Sequence, residues 1–148
     1  MQLLAVKKEI MDFTYEKILN AWKCKSRFLD KEVEFRLMGI DIRPDLTREK
    51  ALEIILHRIK NGQDRIEDQI GSFSEAYNQE WAEPEEGFPK LSKEEFINKM
   101  LLYAVNYEVV DASNDAITLY YSDSGFLGGH SFEVTWLSND EMWSNLVG

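Results

Sequence analysis

The sequence predicts an α+β fold: an antiparallel sheet of about five to six strands with two or three helices packed on one face. Three observations carry this reading. Apolar residues alternate with period two towards both ends of the chain. A stripe of helical period fills the middle, and the two kinds of segment are segregated rather than interleaved. At 148 residues the chain has the length of one domain, 1–148. A chain of that size buries about two-thirds of its unfolded surface and holds a core without disulfides.

Residues 13–38 read as strands. "NAWKCKSRF" (20–28) and "KEVEFRLM" (31–38) flank Leu29-Asp30, which predicts a hairpin. Val33, Phe35 and Leu37 share one face, against Glu32, Glu34 and Arg36 on the other. "GIDIRPD" (39–45) reads as a loop, because Pro44 biases Arg43 away from helix. From Thr47 the period changes. Leu52, Ile55, Ile59, Ile66, Ile70, Phe73 and Tyr77 form an amphipathic stripe that stays in phase across Asn61-Gly62. One long helix and two helices broken at Gly62 both fit.

"EWAEPEEGFPK" (80–90), with two prolines, one glycine and four glutamates, reads as a linker. "LSKEEF" (91–96) follows. Ser92 is an N-cap with Glu95 three residues on, and Leu91 and Phe96 stand at the positions of a hydrophobic staple. The spacing predicts a helix over about 93–103. Strands are then expected at 105–112, 116–123 and 130–137, with a short last one in "MWSNLVG". The order is β-hairpin, helices, C-terminal β-meander.

The net charge of −10 is unevenly spread. Residues 1–79 hold 14 Lys/Arg and 14 Asp/Glu; residues 80–148 hold 3 and 13. Such a field repels phosphate and argues against nucleic-acid binding, while it speeds encounter with a basic protein. No window has the ~18 apolar residues of a membrane span. "MQLLAVKKEIMDF" does not read as a signal peptide, since lysines follow its short apolar run. With one cysteine, Cys24, a cytoplasmic home is the simple expectation.

Motif chemistry narrows the candidate sites. In "GFLGGHSFEVTW" (125–136) the "GHSFE" step has Glu133 where a nucleophile elbow needs glycine, and it leads into a strand. The same stretch lacks the lysine and helix that cradle a phosphate. Cys24, His57 and His130 fall in three different elements without ligand spacing, so neither a metal site nor a cofactor is expected. No catalytic set is assigned. Two groups remain as binding candidates. His130 with Asp123, Ser131 and Tyr121 is the expected lining of a ligand pocket. Glu80, Trp81, Glu83, Glu85 and Glu86 form an acidic, aromatic protein-binding patch.

"YNQEW" (77–81), "LSKEEF" (91–96), "LYYSDSGFLGGHS" (119–131) and the closing glycine resemble a bacterial family of domains of unknown function, catalogue number 2262. The resemblance covers about half the chain, from Tyr77 on, and more loosely the Trp22 hairpin. Gly128 stands where the pattern has an aromatic residue before Gly-His. The resemblance implies the element order and a bacterial source, and brings no activity with it. By fold-level analogy such small acidic α+β proteins look like immunity or accessory proteins. The leading expectation is therefore a module binding a basic, toxin-like partner. A small enzyme or ligand binder built on the His130 loop and a structural or oligomerising module are the alternatives.

Overall fold

A computed structural model describes residues 12–122, 125 and 131–147. The alternating stretches become one sheet. Its strands are β1 (Thr14–Glu16), β2 (Ala21–Phe28), β3 (Lys31–Met38), β4 (Leu101–Val109), β5 (Asp115–Ser122), β6 (Ser131–Leu137) and β7 (Met142–Val147). They lie side by side in chain order, so the described residues hold one or two strands more than the sequence suggests. Neighbours are antiparallel except β3 and β4, which pair in parallel with Phe35 opposite Val105 and Leu37 opposite Tyr107. A parallel neighbour needs a crossover connection. Among the described residues all the helices lie in that connection, and they pack on one face of the sheet.

The helices are α1 (Arg48–Asn61), α2 (Gln63–Gly71), α3 (Phe73–Glu80) and α4 (Lys93–Lys99). Thr47 caps α1 by accepting from the Lys50 amide at 3.1 Å. The 47–81 stripe is thus neither one helix nor two. It is a tandem of three, broken at Gly62 and again at Ser72. At Gly62 glycine is needed for space, because a Cβ there would lie 2.4 Å from the Trp136 ring. The core joins Ile55, Ile59, Ile66 and Ile70 to the sheet residues Phe35, Leu37, Val105, Ile117, Leu119, Phe132 and Val134.

α4 starts as its capping box predicts. Glu95 N–H donates to Ser92 Oγ at 3.1 Å, and Ser92 N–H donates to Glu95 Oε1 at 2.9 Å. Leu91 and Phe96 are both buried, as a staple requires. The helix ends at Lys99 rather than 103, with Met100 extended and β4 beginning at Leu101. A register shift between Leu102 and Ala104 hides the start of this strand, since it puts two residues out of the period-two phase.

Candidate functional site

The 80–90 stretch is not a loose linker. Glu83 N–H donates to the Phe88 carbonyl at 2.6 Å and Phe88 N–H returns a bond to Glu83 at 3.0 Å, closing a tight turn. Pro84–Glu86 form one 3-10 turn, and Gly87 takes φ +88°, which an L side chain rarely adopts. The base of the turn is clamped. Tyr77 Oη donates to the Pro89 carbonyl at 2.9 Å. Asn78 holds the Leu91 backbone from both sides, donating to its carbonyl at 2.7 Å and accepting from its amide at 2.8 Å. Trp81 is half-buried against the core. The "YNQEW" element is therefore a turn clamp. Asn78 pins the far strand of the turn and Trp81 anchors the near one.

Glu80, Glu83, Glu85 and Glu86 are all exposed. Among the described residues none of their side chains has an ion pair or hydrogen bond. Other carboxylates of the C-terminal half are engaged. The Asp140 carboxyl is held below its usual range by the Trp136 indole N–H and by Arg65. Glu95 is held down by the Ser92 amide. Asp111 is held down by the Asn114 side chain and the Ser113 amide, which it accepts from within its own turn.

The second predicted group is only partly described. Asp123 and His130 lie outside the described residues. Tyr121 is buried on the helix-bearing face, opposite Phe132 on β6. Ser131 precedes Phe132, so it belongs to the other face, and the sheet does not bring Ser131 and Tyr121 together. His57 is exposed on α1 with its Nε2 2.9 Å from Asn61 Nδ2. Cys24 is buried on β2, where burial, with Glu34 nearby, pushes the thiol up to about 11.

Sequence reasoning missed the densest polar network. Asp115, only 9% exposed, accepts from Tyr107 Oη at 2.7 Å, Arg58 Nη1 at 2.8 Å and Arg43 Nη1 at 3.5 Å. Arg58 also donates to the Leu137 carbonyl and lies over the Trp136 ring at 5.0 Å. This ties α1 and the segment before it to the β4–β5 end of the sheet. The signal was available: Asp115 stands in phase with Ile117, Leu119 and Tyr121, so a buried carboxylate needed cationic partners. The opposite face carries a lighter ladder. Arg36 donates to Glu34 at 2.7 Å and to Asn106 at 3.4 Å, and Asn106 donates to Tyr120 at 3.2 Å.

Fold and geometry define an α+β domain built on one sheet, with helices on one face and an ordered acidic turn between α3 and α4. No helix among the described residues is long and apolar enough to cross a membrane. The chain belongs to a bacterial family, domain of unknown function 2262, described as an uncharacterized protein conserved in bacteria. The match spans residues 7–146, well beyond the half that the motifs marked. No curated protein and no solved structure matches the chain.

Proposed function

We propose that this domain is a binding module that engages a basic partner protein through the 80–86 turn. The observation that carries the reading is the set of four exposed carboxylates, without ion pairs among the described residues, on a turn pinned by Tyr77 and Asn78. A turn that is already ordered costs little conformational entropy on binding. The excess charge of residues 80–148 steers a cationic surface towards it. Trp81 at the base extends the patch with partly exposed aromatic surface. An immunity-like or accessory role towards a toxin-like protein in the cytoplasm is the form of this function that charge and size favour.

The test compares the wild type with a variant carrying Glu80→Gln, Glu83→Gln, Glu85→Gln and Glu86→Gln, each immobilised in bacterial lysate. Captured proteins are identified by mass at low salt and at about 0.5 M NaCl, where exposed charges are screened within a few Å. A basic protein held by the wild type, released by salt and not held by the variant is the expected result. A partner retained by both chains at both salts removes the turn from the interaction.

A further inference from the structure

A pocket of about 170 Å³ opens where β4 and β5 meet α2 and α4, apart from the acidic turn. Its walls are mostly apolar, with Phe28, Ile66, Ile70, Ile97, Met100 and Leu102, and Lys31 and Gln63 also line it. Tyr121 reaches it from β5. Only 7% of Tyr121 is exposed, and its hydroxyl has no hydrogen-bond partner among the described residues. The hydroxyl is therefore available to a molecule that enters the pocket. Glu67 lines the same pocket from α2, at its exposed side. Burial, together with the Glu67 charge, pushes the Tyr121 phenol well above its ordinary value. Tyr121 therefore stays neutral and presents its O–H as a donor.

The geometry points to a binding site for a compact apolar molecule bearing one hydroxyl, of about the size of phenol. A dry apolar cavity of about 150 Å³ takes up benzene, so the volume suits one ring or a short branched chain. The ligand hydroxyl accepts from Tyr121 Oη. A molecule much larger than one ring exceeds this volume. The site is independent of the partner-binding turn, and its failure would leave that reading untouched.

Phenol and toluene are near-isosteric and differ in the one group that matters. Each is titrated into methyl-labelled protein while the signals of Ile66, Ile70, Ile97, Met100 and Leu102 are followed by NMR. Saturable shifts confined to these methyls are expected, with phenol binding about threefold to tenfold tighter than toluene, the worth of one hydrogen bond. In Tyr121→Phe the two affinities should become equal while the spectrum keeps the native dispersion. Shifts that never saturate, or equal affinities in the wild type, overturn the assignment. So does a preference for phenol that survives in Tyr121→Phe.

Discussion

Two tyrosines on the same face of the sheet show how a single atom's surroundings set what a residue does. Tyr107 and Tyr121 are both buried, on adjacent strands. Tyr107 donates to Asp115, whose charge Arg58 and Arg43 balance, so its hydroxyl is part of the fold. Tyr121 has no such partner among the described residues. Tyr107→Phe should therefore lower stability by about 1.5–3 kcal/mol, as for a hydrogen bond to a charged group, with urea unfolding as the measurement. Tyr121→Phe should cost nothing. The pH dependence follows from the same contacts. Burial, then the hydrogen bond to Asp115 and its charge, push the Tyr107 phenol up to about 12 from an ordinary 10. The folded state thus holds this proton more tightly than the unfolded chain does. Its contribution is complete below pH 10 and is lost as the pH rises towards 12. Over that window the unfolding free energy of the wild type should fall more steeply than that of Tyr107→Phe. Equal slopes would show that Tyr107 titrates alike in both states.

At the scale of elements, what was legible in the sequence is what local chemistry decides. The α4 start was readable because Ser92, Glu95, Leu91 and Phe96 satisfy one another within six residues. The β2–β3 hairpin was readable from its alternation. The β4 start was not, because the bulge after Leu102 breaks the period inside an all-apolar run. The parallel β3–β4 pair was not legible either, since its register depends on where a 60-residue-scale crossover lands rather than on either strand alone. The acidic stretch was read correctly in composition and wrongly in order, because the clamps from Tyr77 and Asn78 act across more than ten residues. The hairpin offers an element-scale prediction. Leu29 and Asp30 both take positive φ, 52° and 62°, the conformation of a type I′ turn, in which leucine is strained. Leu29→Asn should stabilise the protein by roughly 0.5–1 kcal/mol, read from the urea midpoint with an unchanged m value. A loss of stability would mean that the exposed Leu29 side chain contributes more by packing than its backbone costs.

The whole molecule carries its net charge of −10 in an unbalanced way, and that has a stability consequence of its own. Attractive pairs and long-range repulsion respond differently to salt. The Arg58–Asp115 pair is sheltered, with its side chains only 21% and 10% exposed, and is screened little. The more exposed pairs, Lys93–Asp68, Lys25–Glu32 and Arg65–Asp140, are worth little at any salt concentration. What salt mainly removes is repulsion among the unpaired carboxylates, which the exposed turn concentrates at Glu80, Glu83, Glu85 and Glu86. The urea midpoint of the wild type at pH 7 should therefore rise as NaCl is added. In the variant with all four residues changed to glutamine the net charge becomes −6. That variant should start from a higher midpoint at low salt and gain less from added salt. A midpoint that falls with salt would mean that the ion pairs outweigh the repulsion, and the turn would then be a neutral surface feature. If instead the glutamine variant is more stable yet loses its basic partner, the four carboxylates destabilise the fold while serving recognition, a conflict expected of a binding surface and not of a merely solubilising one.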